Sequence, residues 1–238
     1  MAAHTTRLLI LPPSTPAAFL THVLEARQPP STVLICASRP AFLQAAVAEL
    51  HHSSSSSSDP PDVLRATLGR VAIARHVHTA FIPSVTHLRA YLSVFPFHKN
   101  EQQQQQQQQH TLLVYGFLDV HRDAGEAWSA QGIGCSAACV VEAAARAGLT
   151  AVVLMEPTSW ECVGGAGAGA GDDDDDGLPQ QEEKEKERWA VYEEQIPVLG
   201  TTAGIREDGT WGVPCTSARA ILERWFTFNV SWDNQVEI

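Results

Sequence analysis

The sequence has no long apolar run and few cysteines. No stretch approaches the roughly 20 apolar residues that a membrane-spanning helix needs, and the N-terminal run Leu8–Leu11 is too short for the core of a secretory signal. The five cysteines are scattered and include no CxxC pair, which disfavours both a disulfide framework and a zinc ribbon. These absences predict a soluble intracellular protein that makes no contact with a membrane.

Positive charge is also scarce. The chain carries 16 lysines and arginines against 27 aspartates and glutamates, a formal net charge of −11. Residues 172–187 hold nine of the acids and two of the lysines, a net of −7, which leaves only −4 for the remainder. No overall basic field attracts nucleic acid. Any contact with DNA is therefore expected to be local or to run through a partner.

Several motifs of catalysis and cofactor binding are missing as well. There is no Gly-x-Ser-x-Gly elbow of a serine hydrolase. Gly132 and Gly134 are followed by no third glycine and preceded by no strand pattern, which disfavours a dinucleotide fingerprint. The histidines form no cluster with metal-ligand spacing. The sequence therefore predicts neither a cofactor nor a metal centre.

What the sequence does contain is regular α/β patterning interrupted by low-complexity tracts. The tracts of serine, glutamine and aspartate fall at about 51–62, 98–110 and 161–188, and their composition is typical of disordered surface insertions. Between them, apolar runs of strand length alternate with helical patterns. We interpret the chain, 1–238, as a single α/β domain with three disordered insertions.

The clearest unit lies between His110 and Pro157. Two almost wholly apolar runs, 111–119 and 150–155, have the composition of strands that are buried on both faces. An alanine-rich helical segment, 129–147, separates them and stops at Gly148. This arrangement predicts a βαβ unit with parallel strands.

The N-terminal half has the same alternation of strands and helices. Strands are predicted at 7–11 and 31–36, and each is followed by a helix that a proline opens. Thr15 is the expected N-cap of the first helix. An alternating run at 71–77 predicts a third strand, and a helix is expected over 84–94.

Two late strands are predicted near the C-terminus. They are 195–199 and the alternating aromatic run 220–228, and a glycine-rich turn separates them. Late strands joined in this way favour an antiparallel edge on a mostly parallel sheet.

The order of these elements resembles the core of RecA-type recombinases and their paralogues. In this family, a strand with the metal-binding acid is followed by an Arg…Gln turn, a long helix and a further strand. The segments that resemble them here are, in order, Leu112-Leu-Val-Tyr-Gly-Phe-Leu118, Arg122-Asp-Ala-Gly-Glu-Ala-Trp-Ser-Ala-Gln131, the predicted long helix and Ala151-Val-Val-Leu-Met-Glu-Pro157. The chain looks like a divergent paralogue of the kind found in Shu-type complexes. The resemblance implies a RecA-like P-loop NTPase core.

The sequence departs from the family at the nucleotide site. A phosphate loop uses glycines and a lysine, because open backbone N–H groups must surround the phosphates. The corresponding turn contains Pro12, Pro13, Ser14, Thr15 and Pro16, and its prolines remove donors and fix the backbone. A glycine, Gly116, stands where the family has its metal-binding acid. The resemblance therefore implies a core that lacks a functional P-loop and hydrolyses no ATP.

Three acids follow the predicted strand at 111–119. Asp119 lies close to the degenerate acid position, and Asp123 or Glu126 could activate a water. Capping of the next helix, or a solvated turn, explains these acids more simply.

The aromatic C-terminal run is the candidate partner-binding surface. Arginine and aromatic residues are the types that dominate interface hot spots, and we expect Arg224, Trp225, Phe226 and Phe228 to include contacts with a partner. Packing of one strand face against the core is the competing explanation.

The resemblance implies a non-catalytic subunit that acts in homologous recombination and DNA repair in the nucleus. The partner would be another recombinase paralogue, a SWIM-type subunit or the main recombinase filament, with DNA contacted indirectly. One alternative is a nucleotide-free RecA-like subunit of a tRNA-modifying Elongator subcomplex. Another is a small-molecule α/β enzyme that uses Asp119, Asp123 or Glu126.

Overall fold

A computed structural model describes residues 6–25, 32–54, 65–95, 110–122, 124–158, 188–200, 204–205 and 211–229. The α-helices are α1 (Pro16–Glu25), α2 (Arg39–Ser54), α3 (Leu68–Ala74), α4 (Val85–Ser93), α5 (Asp119–Arg122), α6 (Ala130–Ala147) and α7 (Ala218–Leu222). Two 3-10 helices are η1 (Gly125–Ala127) and η2 (Ala190–Glu193). The strands are β1 (Arg7–Ser14), β2 (Thr32–Ile35), β3 (His78–Phe81), β4 (Thr111–Tyr115), β5 (Ala151–Pro157), β6 (Gln195–Pro197), β7 (Gly204–Ile205), β8 (Trp211–Gly212), β9 (Cys215–Ser217) and β10 (Thr227–Phe228).

The main sheet has six strands in the order β10-β1-β5-β4-β2-β3. All five pairings within it are parallel, so the α/β prediction with a mostly parallel sheet is confirmed. The predicted antiparallel edge is wrong, because the edge strand β10 runs parallel to β1. Antiparallel pairing occurs in two separate small ladders, β6 with β9 and β7 with β8.

Helices cover both faces of this sheet. On one face, Phe19 of α1 and Phe42 of α2 pack on residues of β2, β4 and β5. On the other face, α4, α6, α7 and η2 pack on the same strands through a larger apolar cluster. Burial of the strands on both faces explains their near-continuous apolar runs.

The predicted βαβ unit is confirmed. Ser129 caps α6, since its hydroxyl accepts a hydrogen bond from the Gly132 amide at 3.0 Å. Gly148 ends the helix with a left-handed φ of 64°, a conformation that glycine adopts without strain. β4 and β5 then pair in parallel from Thr111 with Ala151 to Tyr115 with Met155.

The strand predicted at 71–77 is wrong. Most of this run belongs to α3, and the neighbouring strand is β3 at His78–Phe81. Thr67 caps α3 by accepting a hydrogen bond from the Arg70 amide at 3.3 Å. The sequence Val-Ala-Ile-Ala alternates large and small residues, and alanine also has the highest helix propensity. The Thr67 cap therefore favours the helical period of this run over the strand period.

The strand predicted at 220–228 is also wrong. Residues 218–222 form α7, which Ser217 caps through a 3.2 Å hydrogen bond from the Ala220 amide. Ile221 and Leu222 are both buried, as neighbouring positions of a helix can be and opposite faces of a half-exposed strand cannot. Only Thr227 and Phe228 are in a strand.

The first strand is longer than predicted. β1 continues through Pro12 and Pro13 to Ser14, and its register against β5 shifts between Leu11 and Ser14. Proline cannot donate to a ladder and is tolerated at such an irregularity. The predicted Thr15 cap of α1 is present, with the Ala18 amide 3.3 Å from the Thr15 hydroxyl.

The insertions lie largely outside the described residues. α2 includes residues 51–54, so helix extends into the segment predicted as an insertion at 51–62. Residues 55–62, 98–109 and 161–187 are outside the described part of the chain.

Candidate functional site

The carboxyl ends of β1, β5, β4 and β2 lie at one edge of the main sheet. In parallel α/β sheets ligands bind at this edge, where neighbouring strands send their connections to opposite faces. β1 and β5 form such a pair, because α1 follows β1 on one face and η2, the next described element after β5, packs on the other. We call this edge, from Ser14 and Thr15 to Gly116 and Glu156, the carboxyl edge.

The turn from β1 into α1 is occupied by a carboxylate of the chain itself. Glu49 of α2 accepts a hydrogen bond from the Ala17 amide at 2.8 Å. Its other carboxylate oxygen accepts the hydroxyl hydrogen of Thr15. The N-terminus of a helix attracts anions through its open N–H groups and its dipole. Glu49 therefore already fills the anion position at the N-terminus of α1.

Few donors remain at this turn for any other anion. Pro12, Pro13 and Pro16 have no N–H, and the Ala18 amide donates to Thr15. The turn differs from a phosphate cradle in both its backbone and its existing ligand.

Gly116, the degenerate acid position, forms the turn after β4. Its φ is 81°, a region that favours glycine. A Cβ here would lie 3.6 Å from Cys36 and 3.8 Å from the Asp119 Cβ, which is ordinary contact. Backbone conformation, and not lack of space, is therefore what disfavours an acid at this position.

Sequence reasoning missed the acid that the carboxyl edge does contain. Glu156, near the end of β5, is 1% exposed. Its carboxylate accepts hydrogen bonds from the Leu118 amide at 2.8 Å and the Asp119 amide at 3.4 Å. Burial raises the pKa of Glu156 to about 8, and the nearby Asp119 charge adds to this effect. The only signal in the sequence was a lone acid at the end of an apolar strand.

Of the three acids predicted after β4, the structure describes Asp119 and Glu126. Asp119 is exposed at the first position of α5, and its side chain lies 3.6 Å from Arg122. Glu126 is exposed in η1, and Asp123 is outside the described residues. Arg122 also pairs with Glu194 at 2.6 Å. Asp119 is thus part of a surface ion-pair network next to the buried Glu156.

A buried polar network ties α5 to α6 and α4. His121 is fully buried, with Nδ1 2.7 Å from the Phe117 carbonyl and Nε2 2.8 Å from the Ser136 hydroxyl. Nδ1 must carry the hydrogen, because a carbonyl oxygen can only accept. Arg89 donates to the Ser136 hydroxyl at 3.0 Å. The pKa of His121 is lowered to about 4, chiefly by burial, and the Arg89 charge acts in the same direction.

This network has the residue types of a serine nucleophile and its base, but it is closed. Ser136 and His121 are both 0% exposed, so no substrate reaches the hydroxyl in this conformation. Its donors and acceptors are matched, which is what a buried polar group requires for stability. We infer that this network has a structural role and holds α5 in place at the carboxyl edge.

The structure divides the candidate partner-binding residues into two groups. Phe226 is buried, and Phe228 packs with Trp189 and Tyr192 at ring-centroid distances of 5.4 and 5.2 Å. Arg224 and Trp225 are exposed, and Trp225 is 40% accessible. Core packing thus accounts for the two phenylalanines, and the other two lie at the surface.

Within the described ranges, no three histidine, cysteine or acidic residues are grouped as metal ligands. The helices of these ranges include none with the length and apolarity to cross a bilayer. In comparisons with known proteins, no family model matches the chain, and no curated protein is significantly similar to it. Functional inference therefore depends on the geometry of the carboxyl edge and of the surface.

Proposed function

We propose that the chain is a non-catalytic subunit with a RecA-like core, and that it acts in homologous recombination and DNA repair through contacts with other proteins. The observation that carries the non-catalytic part is the Glu49 carboxylate at the N-terminus of α1. A nucleotide phosphate would have to displace this anion from a turn in which three residues have no N–H. The repair part of the proposal comes from the resemblance in element order.

The parallel sheet is compatible with this proposal. The degenerate phosphate-loop turn follows β1 and the degenerate acid position follows β4, and both lie at the carboxyl edge with only β5 between the two strands. In this proposal the partner is another recombinase paralogue or a SWIM-type subunit in the nucleus. DNA is contacted through the assembly, since the net charge of −11 opposes direct binding.

Two measurements test the proposal. Titration with a fluorescent ATP analogue and Mg²⁺ should give no saturable binding below about 1 mM, a free energy weaker than about −4 kcal/mol. Purification of the tagged protein from its native cells should recover a second recombinase paralogue or a SWIM-type protein. Micromolar ATP binding would refute the non-catalytic assignment. Recovery of Elongator subunits in the same purification would instead indicate a role in tRNA modification.

A small-molecule enzyme is the second candidate, and Glu156 is the observation that favours it. A buried acid of raised pKa beside a second acid, Asp119, is the arrangement that general acid–base catalysis uses. Both Glu156 oxygens, however, accept backbone N–H groups of the turn into α5, a structural role that needs no substrate. Turnover of a small-molecule substrate that Glu156→Gln abolishes, with the fold retained, would establish the enzyme.

A further inference from the structure

One side of the main sheet ends in β3, a strand with one neighbour among the described strands. That neighbour is β2. Edge strands are usually protected by a short length, by proline, by lysine or by a bulge. β3 has the sequence His-Thr-Ala-Phe, and its four residues pair with β2 without any register shift. Apart from its short length, this edge therefore has none of these protections within its own sequence.

The backbone of β3 is oriented for a further strand. The Ile82 amide donates to the Ile35 carbonyl of β2 at 2.8 Å. Because backbone groups alternate in direction along a strand, Ala80 also faces β2, whereas Thr79 and Phe81 direct their N–H and C=O groups outward. Each outward residue offers one donor and one acceptor, which is the pattern that strand addition uses.

An apolar helix flank borders the same edge. The ring centroids of Phe19 and Phe42 are 6.3 Å apart, and those of Phe42 and Phe81 are 6.1 Å apart. This line of rings runs from α1 through Phe42 of α2 to Phe81 of β3, so the N-terminal part of α2 packs beside β3. Leu43 and Val47, one turn apart on α2, are 45% and 49% exposed.

These two residues are turned away from α1. Glu49 is the α2 residue that reaches the N-terminus of α1. At about 100° per residue, Val47 lies about 160° around the helix from Glu49. We define the outer edge as the free side of β3 together with Leu43 and Val47 of α2.

Two exposed arginines lie near the ends of β3. Arg39 begins α2 beyond the carboxyl end of β2, and Arg75 precedes β3. Both are exposed, and neither forms an ion pair within the described residues. One basic residue thus stands near each end of the open strand.

We propose that the outer edge is a docking site for an extended segment of another protein, which adds to β3 as a seventh strand of the sheet. The segment has apolar side chains at alternate positions, which pack on Leu43 and Val47, and acidic residues at both ends, which meet Arg39 and Arg75. A second copy of the chain fits poorly, because pairing two outer edges would bring two basic surfaces together. This proposal goes beyond the function proposed above and stands independently of the nucleotide site.

The test uses a fluorescein-labelled peptide of about nine residues, long enough for one strand. It alternates valine and threonine at its centre and carries two glutamates at each end, and its twin carries lysines in place of the glutamates. Fluorescence anisotropy with the full chain should show that the acidic peptide binds at least about tenfold more tightly than its twin. Addition of the acidic peptide should also slow amide hydrogen exchange at Thr79 and Phe81.

Two variants examine the two parts of the outer edge. Thr79→Pro removes an outward N–H without removing a bond to β2, and Val47→Asp places a negative charge on the apolar flank. Each should weaken binding of the acidic peptide by about tenfold or more. Leu68→Asp is the matched control, since Leu68 is 90% exposed on α3 and the change in charge is the same. It should bind as the original chain does.

Three results would overturn the proposal. They are equal affinity for the two peptides, unchanged binding by both Thr79→Pro and Val47→Asp, and exchange at Thr79 and Phe81 that the peptide leaves unaltered. The hydrogen-exchange measurement uses the unmodified chain, so it tests the proposal even if Thr79→Pro misfolds. A dimer that Val47→Asp dissociates would assign the outer edge to a second copy instead. None of these results depends on whether ATP binds at the carboxyl edge.

Discussion

Replacement of Glu156 by glutamine should make the protein more stable in alkali than the original chain. The pKa of Glu156 rises in the folded state from 4.5 to about 8, chiefly through burial. The folded state therefore binds a proton that the unfolded state has already lost between these two values. The contribution of Glu156 to stability is full below about pH 4.5 and is lost as the pH rises through 8. At 1.36 kcal/mol for each pKa unit, the total loss is on the order of 5 kcal/mol.

Glu156→Gln removes this titration and keeps most of the local contacts. A glutamine carbonyl can still accept from the Leu118 amide, which lies 2.8 Å from the native carboxylate oxygen. Its amide group would face the Asp119 amide, whose bond to Glu156 is already long at 3.4 Å. We expect a cost of about 1 kcal/mol below pH 5 from this mismatch. Above pH 8 the variant should exceed the original by several kcal/mol.

Urea unfolding at pH 5, 7 and 9 measures the effect directly. The difference in unfolding free energy between Glu156→Gln and the original chain should grow by up to about 1.4 kcal/mol for each pH unit between 5 and 8. Glu126→Gln is the control, because Glu126 is exposed in η1, and its difference should stay flat. A flat difference for Glu156→Gln as well would refute the reasoning, since Glu156 would then ionise in the folded protein without penalty.

Three further predictions concern α6, the buried histidine and the start of α1. Gly132→Ala should destabilise the fold by about 3 kcal/mol in thermal unfolding, because a Cβ would lie 2.8 Å from the backbone carbon of Ala127. Gly134→Ala, which has only a 4.0 Å contact to a side chain, should instead stabilise it by up to about 1 kcal/mol, and equal effects would contradict the packing argument. His121, with its pKa lowered to about 4, should cost on the order of 3 kcal/mol of stability as the pH falls from 6.5 through 4, and His121→Gln should lack this slope in acid unfolding. Glu49→Gln should lower the unfolding free energy by about 1 kcal/mol through loss of the charge at α1, with a smaller effect in high salt; an unchanged melting temperature would contradict that role.

Local patterns in the sequence were sufficient to predict elements whose own residues decide their structure. The βαβ unit was predictable because two apolar runs flank a helix that begins after Ser129 and ends at Gly148. The runs 71–77 and 220–228 were misread because short alternations fit two periods, and the caps Thr67 and Ser217 favoured helix. Parallel pairing of β10 could not be predicted, since it depends on the path of the chain over α7 and not on the composition of the strand.

The polar groups at the carboxyl edge depend on tertiary contacts, and this is why the sequence did not indicate them. Glu49 is 32 residues from Ala17 along the chain, and Glu156 is 38 residues from Leu118. No spacing rule joins such pairs, because only the order of the strands brings them together.

The consequence for function follows from where the open hydrogen-bonding groups lie. At the carboxyl edge, the chain satisfies its own donors with Glu49 and Glu156, so a ligand there must compete with groups that are already bound. At the outer edge, Thr79 and Phe81 present backbone groups that no described strand pairs with. A strand added there gains backbone hydrogen bonds without displacing any described strand. The surface chemistry therefore favours binding of a polypeptide at the side of the sheet over binding of a nucleotide at its end, as the proposed function requires.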